Sequence, residues 1–267
     1  MSPVTPPPPA ATDNLDLSPR PGAAPRIRML TRQTALEVRL MLRNGEQLLL
    51  IVVIPLVTLL GLVLTTVIDL GPGRRVDVAL PGVACLAVLS TAFTGQAIMT
   101  GFDRRYGALK RLGATPLPRW GLVAAKSGAV LIIEAGQLIL LGVVAARLGW
   151  RPVAGLSTLG PVVVALLVGT AAFTGLGLLM AGTLRAEATL AGANLLWLIL
   201  VAGGGIVVPL GQLAPGAARI LGALPSAALT EALRGGLAGG WAAGPLLVLT
   251  GWAVTASAAA SATFRWE

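Results

Sequence analysis

Few residues in this chain have the types and spacing that chemistry requires. Histidine is absent and Cys85 is the single cysteine, so neither a His/Cys zinc set nor a Ser-His or Cys-His dyad can be assembled. One cysteine also rules out an intrachain disulfide, and Cys85 inside an apolar run reads as a small packed hydrophobe. No G-x-S-x-G occurs, and the acids are scattered rather than paired. Lys126-Ser127 follows Ala125 rather than the glycine of a phosphate-cradling P-loop. The sequence therefore has no phosphate-binding loop of its own, and nothing in it points to an enzyme. What remains is a set of isolated polar residues in apolar surroundings: Gln96, Glu134, Gln137 and Asn194. Glu134 and Gln137 lie one turn apart on one helical face. Either they are polar contacts along a path through the protein, suited to a cationic amphiphile, or Glu134 makes an interhelical hydrogen bond as a protonated carboxyl.

The elements that would hold these residues are apolar and long. Hydrophobic residues make up 55% of 267, aromatics 4% and charged residues 12%, with a mean hydropathy of +0.83. Runs of mainly apolar residues begin near Gln47, Val78, Gly121, Thr158, Ala188 and Ala243. Each is roughly 20 residues or more, the length a helix needs to cross about 30 Å of hydrocarbon. This predicts an all-α integral membrane protein with six transmembrane helices. In such a chain a net charge of +9 fits loops facing anionic lipid better than nucleic acid.

Residues 1–25 are Pro-rich without an apolar face, which predicts a disordered tail before a membrane domain over 26–267. No short apolar core follows a basic start, so the first span is expected to serve as a retained insertion signal. Residues 29–44 have helical periodicity: Ala35, Val38, Met41 and Leu42 share one side, with Arg32, Arg39 and Arg43 on another. This predicts an amphipathic helix in the headgroup layer. Sorting Lys and Arg by alternate connections places 14 of the 20 with the two termini and the 101–120 stretch, so both termini are expected in the cytoplasm. Residues 210–241 are too broken by Pro and Gly for a span and too apolar for a free loop, which predicts outer re-entrant short helices between spans five and six. Pairs such as Ala171/Gly175 and Gly177/Ala181 in the fourth span read as close helix packing.

Six charges crowd residues 101–120, GFDRRYGALKRLGATPLPRW, between spans two and three. Taken as one helix over 102–113, this segment puts Phe102, Tyr106, Leu109 and Gly113 on one stripe and Arg104, Arg105, Ala108 and Arg111 opposite. Asp103 at its start and Lys110-Arg111 at its end suit the helix dipole, and Thr115-Pro116-Leu117-Pro118 stops it. A topology anchor would need the positive charges but neither the apolar stripe nor the Thr-Pro-x-Pro stop. A docking element uses all three.

The stretch FDRRYGALKRLGATPLPRWGLVAAK resembles the cytoplasmic loop of ABC-2 type transporter permeases, through Gly107, Leu109, Lys110, Leu112, Thr115, Pro116 and Leu117. PSAALTEALR at 225–234 is similar to that family's outer motif, and small drug-export permeases of the daunorubicin-resistance type are the nearest in character. The resemblance implies a permease subunit that moves a drug-like or lipid-like substrate outward across the cell membrane. Asp103, Arg104 and Arg105 would join the matched residues in coupling it to a separate ATPase subunit, which would hold ATP and Mg. A second permease copy, identical or a sister chain, would complete the assembly within membrane lipid. Export of a lipid-linked polysaccharide is the alternative within the family, although the scarcity of aromatics argues against it. A secondary transporter is the alternative outside it, and would be expected to carry more intramembrane charges than Glu134 and the marginal Lys126.

Overall fold

The computed structural model describes residues 24–151 and 155–263, and among them every regular element is helical. The Pro-rich tail lies almost wholly outside the described residues. Helix α1 spans Arg26–Arg43, and α2, the first span, follows at Gly45–Leu64. Asn44 separates them and its side-chain oxygen accepts from the Gln47 amide at 3.2 Å, capping α2. The second span runs from Arg75 to Arg105 as α3 (Arg75–Val88), a π-helical segment (Leu89–Gly95) and α4 (Gln96–Arg105). A short α5 (Ala108–Gly113) leads to α6 (Arg119–Arg147), α7 (Leu159–Thr183) and α8 (Ala186–Gly203). Then come α9 (Pro215–Leu221), α10 (Pro225–Leu237) and α11 (Ala243–Thr263).

Among the described residues, six helices are long and apolar enough to cross a membrane, at the positions the apolar runs predict. Many large side chains on the outside of the bundle are apolar, including Leu49, Val53 and Val57 of α2. In water this would be a liability, whereas against hydrocarbon it is the expected lipid-facing surface. The second span sits at the centre, with every residue from Ala79 to Phe93 buried. At 31 residues and about 1.5 Å each it is about 46 Å long, well beyond the hydrocarbon thickness, so one of its ends must project.

Close packing follows the small residues. A Cβ on Gly177 of α7 would lie 2.8 Å from the Phe93 carbonyl of the π segment, and one on Gly175 would lie 3.0 Å from the Ser257 amide of α11. The 210–241 region forms a short 3₁₀ turn, α9 and α10. Helix α10 is packed among α3, α7 and α11, while α9 buries no residue. Helix α10 is thereby enclosed by protein, while most of residues 211–220, the irregular turn and α9, stay exposed on the bundle. Helix α8 stops at Gly203, and the next glycine lets its end rest on Ser226 of α10, where a Cβ would meet the side chain at 2.8 Å.

Two local expectations are corrected. Residues 102–113 are not one helix: α4 ends at Arg105, and Gly107 turns the chain at φ 70°, ψ 15° before α5 begins. This left-handed geometry is cheap only without a Cβ, and a Tyr-Gly pair at a helix end is where it belongs. The buried face of α1 also differs. Met41 and Glu37 turn inward onto α6, whereas Ala35 and Leu42 are exposed. Glu37 faces inward because it has a cationic partner there.

Candidate docking and transport site

That partner is Lys126, two turns into α6. Its Nζ lies 3.0 Å from Glu37 Oε2 of α1 and 2.9 Å from Asp103 Oδ2 of α4. Lys126 is 2% exposed and Glu37 3%, and Gln33 donates to the second Glu37 oxygen at 2.9 Å. An ammonium at this depth is tolerable only when paired and hydrogen-bonded, and the two carboxylates supply both. Three elements distant in sequence are thus fastened at one point. Asp103 therefore closes the end of the second span and does not start a docking helix.

The next two residues fasten the same end elsewhere. Arg104 donates to the Leu184 carbonyl in the turn between α7 and α8, and Arg105 pairs with Glu187 of α8. Arg105 also lies over the Tyr106 ring, 6.0 Å from its centroid, and Tyr106 stacks on Phe102. Past the Gly107 turn, Leu109 of α5 is fully buried while Tyr106 is 69% exposed, and Lys110 and Arg111 are exposed. Leu112 is half-buried. Thr115 donates to the Leu112 carbonyl at 2.6 Å and accepts from the Leu117 amide, so with Pro116 it closes the turn. The segment thus divides into an anchored half (Asp103, Arg104, Arg105, Leu109) and a presented half (Tyr106, Gly107, Lys110, Arg111, Thr115, Pro116).

The polar residues inside the bundle separate as well. Glu134 accepts from Thr170 Oγ1 of α7 at 2.6 Å, and its other oxygen has no partner. Gln137 accepts from Thr91 of the π segment at 3.0 Å and donates to the Ile51 carbonyl of α2. Gln96 donates to Thr100 at 3.1 Å within its own helix. These three are buried contacts within and between helices. Asn194, by contrast, lines a cavity of about 380 Å³ between α2, the second span and α8. Ser90, Thr94, Gln47 and Trp197 share that lining, with Glu46 the one charged residue on it. Trp197 Nε1 donates to Ser90 Oγ at 3.2 Å, which holds the ring along the wall.

Lys126 is the site residue that sequence reasoning undervalued. Its signal was present, since a lone lysine in an apolar span requires a counter-charge, and Glu37 falls four residues after Gln33 on an amphipathic helix. Which acids meet it depends on tertiary packing. Gly128 contributes to that packing: a Cβ there would touch Thr34 of α1 at 3.4 Å.

Among the described residues, six helices suited to a membrane surround a central one whose end runs into a fastened basic element, the arrangement of a membrane-embedded helical bundle. The chain belongs to the ABC-2 type transporter family, whose model matches residues 27–238. It is thereby a multi-pass membrane protein and a permease subunit of an ABC-type transporter. In this family ATPase activity resides on a separate subunit, and association with that subunit and dimerisation are the rule. Comparison with curated proteins and with solved structures gave no significant match.

Proposed function

We propose that this permease is an exporter of a drug-like or lipid-like amphiphile, powered by ATP and Mg held on a partner ATPase that docks on the Tyr106–Pro116 element. One observation carries the reading: that element is basic and exposed, while the end of α4 directly before it is tied through Asp103, Arg104 and Arg105 to α6, α8 and the α7–α8 turn, and through Lys126 to α1. A push on α5 then moves all of these together instead of bending a loop. Both termini and this element are assigned to the cytoplasm of a cell-membrane protein by the positive-charge bias. The cavity with Asn194, Ser90 and Trp197 is the candidate start of the route, and a second permease copy would complete it. Its walls suit an apolar body with a few hydrogen-bonding groups, and Glu46 favours a cationic one over an anionic one. Glu134 and Gln137 hold helices in register beside the route.

The test is vectorial transport. The permease, co-reconstituted in vesicles with the ATPase it purifies with, should move a cationic amphiphilic dye away from the ATPase side only with ATP and Mg. Asn194→Leu should alter the range of dyes moved without abolishing ATP hydrolysis. Movement toward the ATPase side, or transport driven by an ion gradient without ATP, would overturn the exporter reading.

A further inference from the structure

A second cavity, about 420 Å³, lies between α6, α7 and α11, away from the Asn194 cavity. Leu122, Val123, Ala171 and Leu178 supply apolar wall, and the Lys126 side chain borders it. Three helices each bring a hydroxyl to it: Ser127 from α6, Thr174 from α7 and Ser257 from α11. Thr174 is 2% exposed and its Oγ1 has no hydrogen-bond partner. The hydroxyls of Ser127 and Ser257 likewise have no hydrogen-bond partner among the described residues, although most threonine hydroxyls of these helices return theirs to a carbonyl of the preceding turn. Ser261 does so too, donating to the Ala258 carbonyl at 2.8 Å. A buried hydroxyl is normally paired, so the unpaired Thr174, with the half-buried Ser127 and the exposed Ser257 beside it, marks a place made for an acceptor.

Depth narrows the acceptor. Trp120 is exposed at the rim, as an indole at the headgroup level would be. Ser127 is seven residues further along α6, about 10 Å. Thr174 and Ser257 precede the ends of their helices, at Thr183 and Thr263, by about 14 and 9 Å on the same rise. In a bilayer this is the passage from headgroups to hydrocarbon, where the ester carbonyls of phospholipids lie. The exposed Val123 and Ser257 edge leaves the cavity open to that layer.

We propose that this cavity is a phospholipid-binding site. One acyl chain lies along Leu122, Ala171 and Leu178, and an ester carbonyl accepts from Thr174, with Ser127 and Ser257 as the neighbouring donors. The site stands on the membrane fold alone and holds whether or not the transport reading does. The purified full chain would be placed in phosphatidylcholine vesicles containing a trace of phosphatidylcholine with a photoreactive group near its ester. Crosslinked positions would be mapped by mass spectrometry. Positions 120–127, 171–178 and 257–261 should label in excess over the exposed Leu49, Val53 and Val57 of α2, which lie outside the Asn194 cavity and report passing lipid. One lost hydrogen bond of 0.5–1.5 kcal/mol corresponds to about a 2- to 10-fold change, so the isosteric Thr174→Val should cut the excess by about that factor. Ser257→Phe, which fills the open edge, should abolish it. Labelling no greater than on the α2 face, or labelling untouched by both substitutions, would overturn the proposal.

Discussion

Replacing Lys126 with Met removes one charge and strands two. Glu37 would keep only the bond from Gln33 while remaining buried, and Asp103, at 28% exposure, would retain partial hydration. Breaking a buried pair by deleting one partner costs about 3–5 kcal/mol, chiefly the desolvation of the charge left behind. At 2–4 °C per kcal/mol for chains somewhat shorter than this one, Lys126→Met should lower the thermal midpoint in detergent by roughly 6–20 °C. Adding Glu37→Gln to Lys126→Met should recover part of that loss, because a neutral amide can be buried with the Gln33 contact intact. The three-variant cycle would then show an interaction energy well outside additivity. The assay is a thermal scan of the purified full chain, with gel filtration to confirm that each variant is monodisperse. A shift under 2 °C for Lys126→Met, or additive losses in the double variant, would refute the reasoning that this triad ties α1, α4 and α6.

Other substitutions test neighbouring steps. Gly107→Val places a β-branched residue at φ 70°, so stability should fall by about 1–3 kcal/mol by thermal scan, whereas Gly142→Ala, inside α6 with open space around it, should be neutral or stabilising by up to about 1 kcal/mol. The Arg105–Glu187 pair is half exposed, so Arg105→Ala should cost no more than about 1 kcal/mol. If the pair transmits motion, Arg105→Glu should still lower coupled transport, and adding Glu187→Arg should restore it. Gly177→Leu drives a side chain into the π segment beside Phe93 and should prevent stable insertion, read as loss of the monodisperse peak. Thr170→Val removes the hydroxyl that donates to Glu134 and should destabilise by about 1–3 kcal/mol without altering the dyes transported, because Glu134 lies off the Asn194 cavity.

Much of the fold is legible in the sequence, because a bilayer imposes a length and a polarity that leave few choices. The six apolar runs, the interfacial α1 and the broken 210–241 segment all follow from that constraint. The boundary at Arg105 was legible too, since Gly107 after Tyr106 is a helix stop, yet the apolar stripe through Leu109 suggested continuity. The stripe exists, but α5 uses Leu109 to reach back to the bundle instead of extending α4. What composition does not reveal is partnership. Arg104 and Arg105 look like docking charges until a carbonyl and a carboxylate from 80 residues away are found against them. Glu134 and Gln137 share a face, but only packing tells which of them meets Thr170 and which meets Thr91.

The central claim is that a separate ATPase grips the presented half of the 106–116 element. The most direct measurement is purification of the tagged chain from its native membrane in mild detergent, with every co-purifying protein identified and its stoichiometry measured. A P-loop ATPase is expected at one copy per permease, lost with Lys110→Glu/Arg111→Glu while the permease itself stays folded and inserted. A permease that emerges alone, even after crosslinking in the membrane, or an ATPase that stays bound to the charge-reversed variant, would contradict it.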